Sequence, residues 1–148
     1  MNFLAIDPGV SGGIAYLDTD GTTHAMPMPA TLGDIRDQLR ILAKVPATCF
    51  LEELPKFAGR MGASSMGVMF RNYGRIEGFL AAAGCRVEYL RPQKWQQFHS
   101  LGSKKDHGTK WKNHLKGKAQ SLFPHLTVTL KTADALLILE AGMKLSRS

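Results

Sequence analysis

Short apolar runs interrupted by turn-forming residues mark the beginning of the chain as β structure. Two such runs fill the first eighteen residues, and the Pro8-Gly9 turn between them predicts a β-hairpin. Asp7 closes the first strand of this hairpin. A third strand is predicted over residues 22–28, where Pro27 ends the run because proline cannot continue a central ladder.

Two further apolar runs predict strands later in the chain. Residues 47–54 contain the β-like run Thr-Cys-Phe-Leu and end in the acidic pair Glu52 and Glu53. Residues 85–90 form another short run of this kind. A second carboxylate is therefore expected at a strand end.

Apolar residues at helical spacing predict helices between and after these strands. Thr31 and Thr132 are the expected N-caps of the first and last helices, and Asp134 is the second residue of the last one. A brief extended run is expected over 126–130. The predicted helices cover residues 32–44, 65–83, 92–98, 110–123 and 133–144. This order of elements predicts a single α/β domain over residues 1–148.

Glycines mark one side of the helix predicted from residue 65. Gly67, Gly74 and Gly78 each lower helix propensity by about 1 kcal/mol relative to alanine, so they require a structural reason. Close packing against another helix is the first explanation. A homodimer interface is the second.

Composition narrows the classes of protein that fit. The chain has 148 residues, of which 44% are hydrophobic, and this is enough for one compact core. It has no run of eighteen apolar residues and no signal-peptide pattern, so we expect an intracellular, cytoplasmic protein without a membrane span. Cys49 and Cys85 lie in apolar runs and are expected to be free core thiols.

Positive charge is concentrated in one segment. The chain has a formal net charge of +7, and six lysines between residues 104 and 118 stand against the single acid Asp106. A merely solvated face normally contains interspersed acids, so this segment favours contact with a phosphate backbone. The lysines are Lys104, Lys105, Lys110, Lys112, Lys116 and Lys118.

Three acids stand at the ends of predicted elements in a chain otherwise poor in acids. Asp7 and Glu52 follow strands, and Asp134 opens the last helix. Two divalent metals about 4 Å apart need hard carboxylate oxygens from several elements, and these residues can supply them. Taken singly, each acid also fits a plainer role as a turn residue, a solvated strand exit or a complement to a helix dipole.

The chain resembles the RuvC-type Holliday junction resolvases of the RNase H-like superfamily. The likeness spans nearly the whole chain and implies a mixed five-stranded sheet flanked by helices. The residues that carry it are Phe3-Leu4-Ala5-Ile6-Asp7-Pro8-Gly9, Phe50-Leu51-Glu52-Glu53-Leu54, Pro92-Gln93-Lys94-Trp95, the segment 110–124, and Thr132-Ala133-Asp134-Ala135-Leu136-Leu137-Ile138.

The resemblance implies a metal-dependent active site. Asp7, Glu52 and Asp134 match the family's catalytic Mg²⁺ ligands, with two ions per site and Mn²⁺ as a substitute. Glu52 is preferred to Glu53 because it directly follows the apolar pair. The family usually has a fourth acid or a histidine one turn before the last aspartate, and this chain has Lys131 there. His107, Asp106 or Glu140 can replace that ligand only if the fold brings it close.

The implied function is resolution of four-way DNA junctions by a homodimer that hydrolyses paired phosphodiester bonds. Phe57 stacks on an unpaired base in this interpretation, although simple loop packing explains it equally well. The residues expected to contact DNA are Phe57, Arg60, Arg71, Arg75, Lys104, Lys105, Lys110, Lys112, Lys116 and Lys118.

Three other functions are compatible with parts of the sequence. An RNA-processing nuclease of the same superfamily shares Asp7 and Glu52. The Asp-Pro-Gly turn resembles the phosphate loops of actin-like ATPases and sugar kinases, but those proteins need two such domains. A DNA-binding module without catalytic activity is the third, because the missing fourth acid is consistent with lost metal binding.

Overall fold

A computed structural model describes residues 2–44, 46–54 and 61–148. Five strands form one sheet in the order β3-β2-β1-β4-β5. The first three strands pair antiparallel, whereas β4 and β5 continue the sheet parallel to β1. The predicted mixed sheet is therefore confirmed. The strands are β1 (Asn2–Asp7), β2 (Gly13–Leu17), β3 (Thr23–Pro27), β4 (Ala47–Glu52) and β5 (Arg86–Leu90).

Helices flank both faces of this sheet, as predicted. The Thr31 side chain accepts a hydrogen bond from the Asp34 amide and caps the first helix as expected. The Thr132 hydroxyl does not cap the last helix, because it bonds to Thr129 instead. The helices are α1 (Leu32–Leu42), α2 (Ala63–Ala82), α3 (Pro92–Phe98), α4 (Lys104–His107), α5 (Trp111–Leu122) and α6 (Ala133–Leu145), with a 3₁₀ turn over Gly108–Lys110.

The alternation of side chains along the strands separates two cores. Ala5, Ala15 and Phe50 pack with α3, α5 and α6 on one face of the sheet. Leu4 and Leu51, from alternate positions, pack with α1 and α2 on the other. Each face of the central strands is thus covered by its own helical layer.

Helix α6 is the most deeply buried helix of the described chain. Every residue from Ala133 to Met143 is buried except Glu140. Gly142 lies directly against the Phe50 ring, so that a Cβ atom at this position would overlap the ring. The missing side chain therefore lets α6 approach β4 closely.

The extended run expected over residues 126–130 does not form a strand. Its backbone is held by a side chain instead: the Gln120 amide donates to the Leu126 carbonyl at 2.7 Å, and its oxygen accepts from the Val128 amide at 3.1 Å. These local bonds satisfy the polar backbone groups without a ladder. Val128 still contributes to the core beside α6.

Close helix packing does not explain the glycines of α2. Cβ atoms at Gly67, Gly74 and Gly78 would meet nothing within 4 Å in the described protein. Ile76 and Leu80 are the buried residues of this helix, and the glycines lie on the side away from them. Close packing against another helix of the same chain is therefore wrong as an explanation of these glycines. The homodimer interface stays a prediction.

Composition predicted that the two cysteines are free core thiols and that no helix spans a membrane. Cys49 and Cys85 are buried and free, as predicted. The Cys85 thiol lies 3.5 Å from the Ala47 carbonyl oxygen. Among the described helices, none is both long enough and apolar enough to cross a bilayer.

The contact between Gly142 and Phe50 predicts that a glycine-to-alanine substitution has opposite effects on stability in α6 and in α5. Gly142→Ala should destabilise the protein by about 1–2 kcal/mol, because overpacking costs about 1–3 kcal/mol and exceeds the gain in helix propensity. Gly117→Ala in α5 is the matched control, since its Cβ would enter open space. It should stabilise by about 0.5–1 kcal/mol. Urea unfolding of both variants measures the difference, and equal effects would contradict this account of α6 packing.

Candidate active site

Asp7 and Glu52 lie side by side at the carboxyl ends of two parallel strands. Ile6 pairs with Leu51 in the β1–β4 register, so the next residue of each strand stands beside the other. Asp7 lies two residues after Ala5 on β1, and Glu52 lies two residues after Phe50 on β4, so each pair of side chains lies on the same face of the sheet. Both side chains therefore lie on the face of the sheet covered by α6.

The start of α6 brings Asp134 to the same end of the sheet. Gly13 pairs with Asp7 across the hairpin. A Cβ at Gly13 would lie 2.5 Å from the Lys131 carbonyl oxygen, so only glycine lets the segment before α6 pass this close. Asp134 stands in the first turn that follows and is 8% exposed. Carboxylates from both ends of the chain thus lie at the same end of the sheet.

Burial and mutual repulsion raise the pKa values of these carboxyl groups. Burial, with a smaller contribution from the charge of Asp134, raises the pKa of Asp7 to about 6. Burial followed by the charge of Asp7 raises the pKa of Glu52 to about 8. Burial also raises the pKa of Asp134. The three groups therefore hold protons far more strongly than exposed carboxylates do.

Lys112 is the cation that faces this acidic group. Its Nζ atom lies 3.3 Å from Asp134 Oδ2, and its side chain is 60% exposed. The charge of Lys112 opposes the pKa rise at Asp7, Glu52 and Asp134 alike. The ammonium group therefore compensates part of the repulsion and still reaches the solvent.

Glu52 is held from both sides of the sheet. The Trp95 indole donates to Glu52 Oε2 at 2.9 Å, and the Tyr73 hydroxyl donates to the Glu52 backbone carbonyl at 2.9 Å. Glu53 points elsewhere and pairs with Arg91 at 3.2 Å. This geometry distinguishes the environments of the two neighbouring glutamates.

The acidic group has the chemistry of a site for a hard divalent cation. Asp134 Oδ1 is buried without a hydrogen-bond partner, which is a costly state that a cation relieves. In the described ranges, no three His, Cys, Asp or Glu side chains already converge as a complete ligand set. Lys112 holds Asp134 and Trp95 holds Glu52, so a bound cation would have to draw these carboxylates together. The residues present therefore fit a metal.

The candidates for a fourth ligand lie elsewhere. Asp106 forms a capping box with Ser103, and His107 stacks on His114 with ring centroids 3.9 Å apart. Glu140 approaches Lys144 at 4.0 Å. The Lys131 position of the resemblance therefore has no acidic replacement among these three residues.

Solved structures of a bacterial resolvase share this architecture over nearly the whole chain. RuvC from Thermus thermophilus is 19% identical, with a TM-score of 0.64. A structure described as T. thermophilus RuvC in complex with Holliday junction substrate is 16% identical, with a TM-score of 0.66. Each alignment covers 99% of this chain and 96% of the other. The chain has the RuvC fold.

Sequence comparison alone does not reveal this relationship. No protein-family model matches the chain, and no curated protein sequence does. A Holliday junction resolvase from fowlpox virus also aligns, over 99% of both chains, with 13% identity and a TM-score of 0.47. The fold that the short motifs implied is confirmed by the two Thermus structures.

The residues predicted to contact DNA occupy several parts of this fold. Arg71 and Arg75 lie on α2, and Phe57 and Arg60 fall outside the described residues. The lysine segment does not form one face. Lys112 adjoins Asp134, whereas the charge of Lys118 acts on His99. The exposed lysines are Lys104, Lys105, Lys110 and Lys112, and Lys116 and Lys118 are half-buried.

Two residues of the site were missed by the sequence analysis. Trp95 was noted as part of a motif but not as a partner of Glu52, and Lys112 was assigned to DNA but not to Asp134. A usable signal existed for Trp95, because a buried indole N–H requires an acceptor. The position of Lys112 had no comparable local signal.

The raised pKa values predict how the stability of chelator-treated protein depends on pH. The folded-state pKa values of Asp7 and Glu52 exceed the ordinary values of 3.8 and 4.5. Their contribution to folding is therefore fully present below about pH 4 and is lost as pH rises through about 8. The melting temperature should fall over this range. Glu52→Gln should raise it at pH 8.5 by several degrees, since about 1 kcal/mol shifts it by roughly 2–4 °C.

Glu53→Gln is the matched control for this measurement, because the Glu53 side chain is 41% exposed and pairs with Arg91. Its melting curves should follow the wild type at every pH. Thermal unfolding by circular dichroism in EDTA, from pH 4 to 9, provides the data. A Glu52→Gln variant with no gain at high pH would contradict the burial of a charged Glu52.

Proposed function

We propose that this protein is a metal-dependent endonuclease that resolves four-way DNA junctions. The observation that carries the proposal is the meeting of Asp7, Glu52 and Asp134 at one end of a RuvC-fold sheet, desolvated and faced by Lys112. Perturbed carboxyl groups of this kind mark functional sites. The Thermus relative in complex with a Holliday junction substrate supports the choice of substrate.

Asp7, Glu52 and Asp134 would hold Mg²⁺, with Mn²⁺ as a substitute, and the unpartnered Asp134 Oδ1 is an available ligand atom. A bound divalent cation supplies an activated water for in-line attack on phosphorus and stabilises the leaving oxygen. The resemblance to the RuvC-type resolvases implies two ions per site.

The surrounding residues of the chain prepare this site. Trp95 and Tyr73 fix the side chain and the backbone of Glu52, so that its free oxygen keeps a constant direction. Lys112 offsets part of the negative charge of the acidic group and offers its exposed ammonium group to a phosphate oxygen. An approaching DNA strand therefore meets a cation at the point where carboxylates would otherwise repel it.

DNA binding beyond the site depends on the basic residues around it. We assign the phosphate backbone to the exposed lysines of α4 and α5 and to Arg71 and Arg75 of α2. Such contacts position the duplex arms without reading their sequence. Selectivity for a junction then depends on the arrangement of two such surfaces in a dimer.

The dimer contact is assigned to α2. Gly67, Gly74 and Gly78 face open space, and the neighbouring Val68 and Phe70 are 52% and 37% exposed. Small residues beside exposed apolar ones let a second helix approach closely. A two-fold axis along this helix would present two equivalent sites to two strands of a junction.

Removal of one carboxylate charge should separate cleavage from binding. Asp7→Asn, Glu52→Gln and Asp134→Asn should each reduce junction cleavage by at least about a hundredfold, because a cation ligand is lost. Junction affinity should stay similar or rise. Glu53→Gln is the matched control and should remain near wild type. Cleavage of a labelled synthetic junction in Mg²⁺ and in EDTA, with anisotropy for binding, measures both properties.

Three results would contradict the proposal. Junction cleavage by Asp7→Asn at near the wild-type rate would remove the active-site assignment. Cleavage of an RNA hairpin in preference to the junction would favour the RNA-processing alternative. If the wild-type protein binds the junction but does not cleave it in Mg²⁺ or in Mn²⁺, the protein is a DNA-binding module without catalytic activity.

A charge on the glycine side of α2 should dissociate the dimer. Gly74→Glu places a carboxylate on that side, and Gly117→Glu in α5 is the control because both glycines are helical and open. Sedimentation should show a folded monomer for Gly74→Glu and a dimer for the wild type and for Gly117→Glu. A wild-type protein that sediments as a monomer at high concentration would refute the assignment.

A further inference from the structure

A groove of about 410 Å³ lies on the sheet face opposite to the three carboxylates, between α1 and α2. The turn between β1 and β2 closes one end of it, where Gly9 and Val10 line the wall. Ile35 and Phe79 supply apolar surface from the two helices. Its volume falls within the range of about 300–1,000 Å³ that small-molecule sites occupy.

The charged residues that line this groove are both positive. Arg75 and Lys131 line it from different elements, together with the amide of Asn72. The Arg75 guanidinium is 3.5 Å from Asn72 Oδ1. Among the described lining residues there is no carboxylate, and no described acid forms an ion pair with Arg75 or Lys131. The groove is therefore an apolar surface with an electropositive rim.

Two short chain segments connect the groove to the candidate active site. Gly9 follows Asp7 by two residues, and Lys131 precedes Asp134 by three. Lys112, and not Lys131, is the lysine whose charge acts on the three carboxylates. Lys131 thus lines the groove, although RuvC-type resolvases usually have a fourth metal ligand at this position.

We propose that this groove binds one unpaired nucleotide of the DNA strand that crosses the active site. Arg75 and Lys131 contact its phosphate, and its base lies against the apolar wall that includes Ile35 and Phe79. The proposal deepens the proposed function and rests on it. The strand would cross the end of the sheet from the carboxylates to the groove, past the Gly9-Val10 turn.

The chemistry of the lining favours a nucleotide over a protein segment. Cations beside an apolar and aromatic surface match the phosphate and the base of one nucleotide. Val10 is 81% exposed at the mouth and provides a further apolar contact. Unstacking a base has a free-energy cost, and it costs least for a base that is mismatched or already unpaired.

The test places 2-aminopurine, a base whose fluorescence rises on unstacking, at successive positions around the crossover of a synthetic junction. Protein is added in EDTA, so that no cleavage is needed. The wild type should raise the fluorescence at one position. Lys131→Gln and Arg75→Gln should lower that signal at least about twofold and weaken junction binding about tenfold, as expected for loss of a charged contact. Lys131→Arg should retain the signal.

Lys44→Gln is the control, because Lys44 follows the opposite end of α1 and does not line the groove. It should behave as wild type. Junction binding with unchanged 2-aminopurine fluorescence in Lys131→Gln and Arg75→Gln would overturn the nucleotide subsite alone. Failure of the wild type to bind the junction would overturn the proposed function instead. Conversion of both variants to monomers in sedimentation would assign the groove to a second copy of the chain and overturn the subsite.

Discussion

The packing of α6 across the sheet is the contact on which the candidate site depends. Nearly the whole helix is buried against β1, β2 and β4, and Gly142 allows it to approach Phe50 without a gap. At the other end, Gly13 leaves room for the Lys131 backbone. These two close approaches fix both the distance of α6 from the sheet and the direction of its axis. Asp134 therefore lies beside Asp7, although the two residues are distant in sequence.

This arrangement concentrates negative charge where water is largely excluded. Burial is the first cause of the raised pKa at all three carboxyl groups, and repulsion from neighbouring carboxylates adds to it at Asp7 and Glu52. Lys112 and the Trp95 indole offset only part of this cost. The protein thus maintains a site that is unfavourable for its own stability. Such a site gains stability when a cation binds, because binding replaces repulsion with attraction.

Local patterns account for much of the fold and for the acids of the site. The apolar runs and their turns predicted the five strands, and helical spacing predicted the main helices to within about two residues at most ends. Asp7 and Glu52 could be placed at strand ends because the chain turns there. The glycines of α2 show the limit of this reasoning, since their spacing marks one side of the helix but does not tell what that side faces.

By itself, the sequence determined the order of elements and the three acids at element ends, because these depend on spacing along a short stretch of chain. Only the tertiary structure decided that Lys112 faces Asp134, that Trp95 holds Glu52, and that Lys131 lines a groove. The segment 126–130 likewise failed to become a strand because a Gln120 side chain satisfied its backbone. Such contacts join residues from separate elements, and their geometry follows from how the helices pack on the sheet.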